Sequence, residues 1–350
     1  MCRGLPANPI PVNLPVGDRF GAFILDKGRL YRLIMHSDNH SFYQETIKNS
    51  LTIAVIGDIH DQWEKADERA LQHLGVDLVL FVGDYGNEAV SLVRSIAQLD
   101  IPKAAVFGNH DAWYTMTDWG RRKCPYDREK EDWVNLQMEA LSDCHVGYSQ
   151  RTFPQFQLAV VGTRPFSWGG PEWKHASFYQ ERFGVHNLQE STDRIVAAAQ
   201  ETPVDTVLFL GHNGPYGLGS QPEAPCGKDW KPIGGDYGDP DFSEAIAQTR
   251  ALGKTIPLVT FGHMHHRLRH TNTCRRQSLY VDGEGTVYLN AASVPRIVDI
   301  EGDRCRNFSL ITLRNGRVAQ ASLVWVGEDF QIVSEEILHQ NQNLCWMQSA

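Results

Sequence analysis

The sequence predicts an α/β domain whose first half contains a parallel sheet. From residue 51 to about 107, apolar strand-like runs alternate with helix-like stretches, and this βαβαβ order implies parallel strands joined by right-handed crossovers. After residue 262 the pattern changes to short strands, and Asn315-Gly316 between the last two is a strong signal for a two-residue hairpin. The 350 residues can form one domain of roughly 300 residues with appended segments.

Each predicted element has a simple reason in the sequence. The strands are apolar, β-rich runs that end in glycine, which lets the backbone turn sharply at the strand end. They cover residues 51–57, 77–83, 103–108, 157–162, 204–211 and 258–262. The helices are stretches with apolar residues at helical spacing. They are predicted at 63–75 and 87–99, and near 128–141, 172–182, 190–201 and 241–252.

The chain is predicted to divide into three parts. Residues 1–50 begin with a proline-dotted stretch and lack a continuous apolar block, so we expect a poorly ordered N-terminal extension instead of a secretion signal. Residues 51–330 form the main domain, with cap insertions near 112–150 and 214–240, and residues 331–350 form a C-terminal tail. The second insertion is rich in glycine and proline and too long for an ordinary connection, which favours a lid or recognition role.

The composition excludes several classes of function. The formal net charge of −9 counts against a general affinity for nucleic acid, whose backbone attracts basic surfaces. No stretch approaches the ~18 apolar residues of a membrane span, so no membrane partner is expected. The seven cysteines are scattered and lack C-x-x-C spacing, which favours free thiols and a cytoplasmic location over a disulfide framework.

Side chains that bind metals follow the glycine at five of the predicted strand ends. They stand in GDIH, GDYGN, GNHD, GHN and GHMHH, and they are Asp58, His60, Asp84, Asn109, His110, His212, His263 and His265. If the strands lie side by side in one sheet, all eight side chains reach a single edge, where α/β proteins place their sites. This combination of carboxylate, amide and imidazole groups suits two adjacent divalent cations.

The ligand types also indicate how such cations would be held. Two divalent ions about 3.5–4 Å apart repel each other, so a shared carboxylate between them is expected, and Asp84 is the central candidate. Oxygen and neutral nitrogen ligands without thiolate favour manganese, iron or zinc over magnesium or calcium. The predicted cofactor is therefore a pair of divalent metal ions (Mn, Fe or Zn).

The five blocks, in this order, resemble those of the calcineurin-like metallophosphoesterase superfamily. The resemblance covers roughly residues 51–300 and includes LNAASVPR (289–296), which is similar to the segment that closes many family cores. It implies a two-sheet β-sandwich flanked by helices. It also implies that His110 lies beside the metals, next to the substrate, without binding them. The two implied ligand sets are Asp58, His60, Asp84 and His265 for one metal, and Asp84, Asn109, His212 and His263 for the other.

A centre of this kind predicts the hydrolysis of a phosphomonoester or a phosphodiester. Two cations lower the pKa of a bridging water, which gives a hydroxide for in-line attack on phosphorus. His110 is expected to protonate the leaving oxygen or to stabilise the charge that develops there. Asp111 either orients that imidazole, as a second catalytic residue, or caps a turn.

The sequence defines the substrate less closely. GDYGNE and FGNHD lack the arginines of the GDxxDRG and RGNHE motifs, so the protein Ser/Thr phosphatase branch is disfavoured. Arg164 is a candidate for binding the substrate phosphate, since a guanidinium forks onto phosphate oxygens; the alternative is a structural ion pair. We therefore predict a small phosphorylated substrate. The alternative functions are a nuclease, which the acidic balance disfavours, and a non-catalytic metal-binding scaffold of the same fold.

Overall fold

The computed structural model describes residues 21–26, 29–36, 39–46 and 50–345. Residues 1–20 of the predicted extension and residues 346–350 of the predicted tail lie outside the described residues. The chain divides into two units, Met1–Ser50 and Leu51–Ala350. The first unit contains an antiparallel sheet in the order β1-β2-β3, with β1 Gly21–Asp26, β2 Arg29–His36 and β3 Asn39–Thr46. The predicted N-terminal extension thus contains three paired strands, which its aliphatic and aromatic residues favour.

The elements from residue 50 onward follow the predicted alternation of strands and helices. The strands are β4 Ser50–Ile56, β5 Leu78–Phe81, β6 Lys103–Ala105, β7 Gln150–Phe153, β8 Leu158–Gly162, β9 Thr206–Leu210, β10 Thr255–Phe261, β11 Leu279–Val281, β12 Val287–Asn290, β13 Ile297–Ile300, β14 Asp303–Arg314, β15 Arg317–Val326 and β16 Ile332–Gln340. The helices are α1 Lys65–His73, α2 Val90–Ala97, α3 Trp113–Met116, α4 Asp118–Lys123, α5 Trp133–Ala140, α6 Ala176–Phe183, α7 Leu188–Gln200, α8 Pro240–Ala251 and α9 Gln342–Cys345. Short 3₁₀ turns cover Asn109–Ala112 and Pro154–Phe156.

These strands form two sheets. One has the order β11-β12-β10-β9-β8-β7, in which β8, β9, β10 and β12 are parallel. The other has the order β16-β15-β14-β4-β5-β6, with β13 paired to β14. Its strands β4, β5 and β6 are parallel and are connected through α1 and α2. The βαβαβ prediction for the first half of the chain is therefore confirmed.

Alternation of side chains along the strands explains how the layers pack. Val55 of β4 and Leu208 of β9 belong to one apolar core, which joins the inner faces of both sheets. Their neighbours Ile56 and Phe209 point to the opposite faces and pack in two separate cores with the helices. The result is a two-sheet sandwich flanked by helices, as the resemblance to the metallophosphoesterases implied.

The C-terminal segment differs from the predicted tail, because β16 is the edge strand of the larger sheet and pairs antiparallel with β15. Ile332, Val333 and Ile337 are exposed, so backbone pairing holds this strand more than burial does. Because this strand does not bury one face, its sequence lacks the alternation of apolar and polar residues that predicts a strand. Among the helices of the described ranges, none is long and apolar enough to cross a bilayer. The division of the chain at residues 51 and 330 stays a prediction.

Candidate metal centre

The candidate site lies where strands of both sheets end. In one sheet, β4, β5 and β6 lead to Asp58, Asp84 and Asn109, and in the other sheet β9 and β10 lead to His212 and His263. The expectation of one shared sheet edge is corrected here, because two sheets supply these side chains. The first sheet ends at β6, so the next strands of the chain belong to the facing sheet.

Three groups of ligand-type side chains converge at this place, with the ligand atoms of each group within 4.8 Å of one another. Asp84 and His60 each belong to two of these groups. The groups are Asp58, His60 and His265; His60, Asp84 and His110; and Asp84, His212 and His263. Asn109 joins them, because its Oδ1 lies 3.0 Å from Nε2 of His212. All eight side chains singled out in the sequence are thus brought together.

The surroundings of His212 fit a cation. Nδ1 of this ring lies 2.8 Å from the carbonyl oxygen of Val82, so it donates a proton there. Nε2 of the same ring faces two oxygen atoms, Oδ1 of Asn109 at 3.0 Å and Oδ1 of Asp84 at 3.3 Å. A cation among these three atoms would have all of them as ligands. Donation of the other ring nitrogen to a backbone carbonyl is also the usual arrangement of a metal-bound histidine.

The group around Asp58 has the same character. Oδ2 of this buried carboxylate has no well-formed hydrogen bond within the described residues, although Nε2 of His265 lies 3.1 Å away. Nε2 of His60 in turn lies 3.2 Å from Nε2 of His265. Burial alone would raise the pKa of Asp58, but the contact with His265 and the other imidazoles outweighs it and holds that pKa below its usual range. A carboxylate that stays ionised beside imidazole nitrogens suits manganese, iron or zinc.

Electrostatics keep other members of the site competent as ligands. Burial lowers the pKa of His263 to about 3, so its ring is neutral at physiological pH, as metal binding requires. Burial raises the pKa of Asp84, but the nearby imidazoles, His212 foremost, outweigh this and lower it. Asp84 and His263 also have positive φ angles of 54° and 64°. Such backbone strain in non-glycine residues concentrates at functional sites.

A glycine is required where the strand ends approach the ligands. A Cβ atom on Gly108 would lie 2.2 Å from Oδ1 of Asp84 and 2.5 Å from Cε1 of His212. Contacts this short force the ligands apart. The glycine after the strand therefore does more than allow a turn, because it leaves the space in which the ligands meet.

We expect Gly108→Ala to lose metal and to be destabilised by about 1–3 kcal/mol, because the added methyl overpacks the ligand cluster. Metal content per chain and the thermal unfolding midpoint measure the two effects. Gly283→Ala is the matched control, since a Cβ at Gly283 meets no described atom within 4 Å. Full metal content in Gly108→Ala would show that the close approach is not needed.

His110 is held at the edge of this cluster by two neighbours. Its Nδ1 lies 2.7 Å from Oδ1 of Asn87, and its ring stacks on Trp113 with centroids 4.6 Å apart and an angle of 12°. Burial lowers the pKa of His110. The sequence did not single out Asn87 as a functional residue. The only signal for such a role was its place in GDYGNE, after Asp84.

Asn87→Ala is expected to lower kcat about tenfold with an unchanged metal content, because the His110 ring loses the hydrogen bond that orients it. Asn87→Asp should restore most of the rate, since a carboxylate also accepts from Nδ1. Steady-state kinetics together with metal analysis check both variants. Metal loss in Asn87→Ala, or no rescue by the aspartate, would count against an orienting role.

Asp111 does not orient His110 in the way suggested as one alternative. Its buried carboxylate accepts backbone N–H groups of Asp84 at 2.9 Å, Tyr85 at 2.8 Å and Gly108 at 2.7 Å. It therefore fixes the two loops that present the ligands Asp84 and Asn109. The geometry corrects the prediction of a catalytic Asp111 in favour of the turn-capping alternative.

Arg164 is also placed differently from the predicted phosphate contact. Its side chain is 3% exposed, and its guanidinium pairs with Asp239 at 2.8 Å and Asp241 at 3.1 Å. Because this guanidinium is buried and pairs with two carboxylates, it is not free to bind a substrate phosphate. The geometry thus assigns Arg164 to the second alternative, a structural ion pair that connects the strand end after β8 to the start of α8.

One comparison with known proteins identifies the family of this chain. The model of the calcineurin-like phosphoesterase family matches residues 51–267, which is more than half of the chain. A search of curated proteins gives no match.

Three solved structures illustrate the range of similar chains. A protein from Thermus thermophilus is 11% identical, with a TM-score of 0.42, and the match covers 83% of this chain and 99% of that one. A dimetal phosphatase from Danio rerio is 13% identical, with a TM-score of 0.41 and coverage of 83% and 99%. A purple acid phosphatase from yellow lupin seeds is 13% identical, with a TM-score of 0.39 and coverage of 90% and 60%. On the match over residues 51–267, the protein belongs to the calcineurin-like phosphoesterase family and is a metal-dependent hydrolase of phosphoric esters.

Proposed function

We propose that the protein hydrolyses a small phosphomonoester or phosphodiester at a centre of two divalent metal ions. Asp58, His60 and His265 would hold one ion, and Asn109, His212 and His263 the other, with Asp84 shared. The observation that supports this most is the meeting of three possible ligand atoms. Oδ1 of Asn109 and Oδ1 of Asp84 lie 3.0 Å and 3.3 Å from Nε2 of His212. Manganese, iron and zinc all suit the nitrogen and oxygen donors.

When bound, such ions lower the pKa of a water molecule and neutralise the charge on phosphate oxygens. The residues of the chain supply the remaining functions. In its protonated form His110 donates Nδ1–H to Asn87 and keeps Nε2–H for the leaving oxygen. Asp111 holds the Asp84 and Asn109 loops in register, so the ligands and His110 keep their relative positions.

A substrate panel tests this proposal. The purified chain, supplied in turn with Mn²⁺, Fe²⁺ and Zn²⁺, is offered an aryl phosphomonoester, a bis-aryl phosphodiester, nucleotides and single-stranded DNA. We expect hydrolysis of at least one small ester, and its loss when a chelator is added. Cleavage of DNA in preference to the small esters would support a nuclease instead. No hydrolysis with any of the three metals would support the non-catalytic scaffold.

A further inference from the structure

A pocket of about 350 Å³ opens beside the candidate metal centre. Asp84, Asn109, His110, His263 and His265 line one part of it, so a phosphate at the centre leaves the rest of the pocket for the remainder of the molecule. Apart from Met264 and from Asp229, which pairs with Arg276 at 3.4 Å, the rest of the pocket lining is aromatic or cationic.

The aromatic part comes from three separate segments of the chain. Trp113 follows the His110 loop, Trp168 follows β8, and Trp230 and Tyr237 lie in the 214–240 insertion. Trp113 stacks on the ring of His110, and on its neighbour Trp168 with centroids 5.4 Å apart. Because His110 is the group proposed to serve the leaving oxygen, an aromatic surface lies next to the leaving group. Aromatic side chains of this kind favour a planar ring.

The cationic part is provided by Arg267 and Arg269, which are exposed on either side of the buried Leu268. Within the described residues neither forms an ion pair with a carboxylate, whereas the third arginine of the pocket, Arg276, is buried and donates to backbone carbonyls. The guanidinium of Arg269 lies 5.4 Å from the ring centroid of Trp230. Two guanidinium groups that lack a carboxylate partner within the described residues can bind an additional anionic group through forked hydrogen bonds.

We propose that this pocket selects phosphate esters that carry both a planar aromatic ring and a second anionic group, as a nucleoside diphosphate does. In a nucleoside diphosphate the terminal phosphate lies at the metal centre, where water adds to its phosphorus and the anhydride oxygen leaves with the nucleoside monophosphate, so that inorganic phosphate forms. The ring contacts Trp113 and Trp168, and the second phosphate binds Arg267 and Arg269. The inference rests on the proposed function for the position of the scissile phosphate. It adds a substrate class, which the ligands of the centre by themselves do not define.

Binding to the full-length, metal-loaded chain tests the pocket without catalysis, because adenosine diphosphate and pyrophosphate are supplied in these binding tests with a methylene group in place of the bridging oxygen. Isothermal titration calorimetry compares adenosine diphosphate with adenosine, which lacks the anions, and with pyrophosphate, which lacks the ring. We expect adenosine diphosphate to bind about tenfold more tightly than either, because only it engages both parts of the pocket. Equal affinity for adenosine diphosphate and pyrophosphate, or no binding of adenosine diphosphate, would overturn the inference.

Matched variants separate the two parts of the pocket. The double variant Arg267→Gln/Arg269→Gln should bind adenosine diphosphate about tenfold more weakly and leave adenosine unaffected. Trp168→Leu should weaken adenosine and adenosine diphosphate but not pyrophosphate. The control Arg122→Gln/Arg128→Gln removes the same charge from two exposed arginines outside the pocket lining. An equal loss in the control would mean that net charge, and not the pocket, attracts the ligand.

The metal-loaded enzyme distinguishes a failure of this inference from a failure of the proposed function. In the Arg267→Gln/Arg269→Gln variant, kcat/KM for adenosine diphosphate should fall about tenfold, and that for 4-nitrophenyl phosphate should stay within about twofold. Equal effects on both substrates would overturn the selectivity while the phosphoesterase stands. Tight binding of adenosine diphosphate by a protein that hydrolyses no ester would overturn the proposed function and leave the pocket assignment in place.

Discussion

Asp84→Ala is expected to abolish hydrolysis and to empty at least one metal position. The Asp84 carboxylate faces His212 on one side at 3.3 Å and His60 on the other at 3.9 Å, so it is the acid common to both ligand sets. Without it, the two ions would repel with no negative charge between them. Metal analysis of the purified variant and initial rates on an aryl phosphomonoester measure the two losses.

Two further variants make this prediction specific. Oδ1 of Asp84 also accepts the backbone N–H of His110 at 2.9 Å, so alanine loosens that loop as well. Asp84→Asn keeps a side-chain oxygen acceptor and removes only the charge, and it should lose metal in the same way. Asp193→Ala, on the exposed face of α7, is the control and should retain both metal and rate. Full metal occupancy in Asp84→Ala would disprove the shared position.

His110→Ala is expected to lower kcat by about 10²–10⁴ with its metal content intact, because it removes the proton donor and no metal ligand. In free-energy terms this is about 2.7–5.5 kcal/mol of transition-state stabilisation. The loss should be larger for an alkyl phosphate than for 4-nitrophenyl phosphate, since a poor leaving group depends more on protonation. Parallel kinetics on the two substrates measure that difference.

The metal content of the His110 variant decides how this residue acts. His110 also lies in one ligand-type group with His60 and Asp84, so loss of metal from His110→Ala would reassign it as a ligand. An equal rate loss for both leaving groups would argue for charge stabilisation in place of proton donation. His186→Ala, at an exposed position before α7, serves as the control for a surface histidine.

The order of motifs made the candidate centre predictable because five of its predicted ligands directly follow a strand and its glycine, and His60 and His265 stand two positions further along the chain. Local chain geometry then delivers the side chain to a strand end, whatever the rest of the fold does. This reasoning did not identify Asn87, because asparagine is common in loops and nothing in the adjacent sequence indicates that its Oδ1 reaches His110. The same reasoning also did not show which of the two sheets supplies each ligand-type residue, since the sequence of a strand does not reveal which neighbour it pairs with.

The arginines also show that the role of a side chain can depend on residues that are distant in the sequence. Arg164 looked suited to phosphate because it follows a strand-glycine unit, yet Asp239 and Asp241, more than seventy positions away, commit it to the interior. Arg267 and Arg269 looked like ordinary surface charges. Only their place in the pocket, beside Trp230 and the candidate metal centre, supports the proposal that they bind a substrate.

The sequence by itself indicated the parallel first half, the side chains that converge at the candidate metal centre and, through the order of its motifs, the family. These follow from short-range chemistry, in which strand, glycine and ligand are adjacent in the chain. The tertiary structure alone decided which sheet supplies each ligand, that Asp111 supports loops, and that tryptophans from three segments meet two arginines in one pocket. Contacts of this kind depend on how distant segments pack, and packing is a property of the folded chain as a whole.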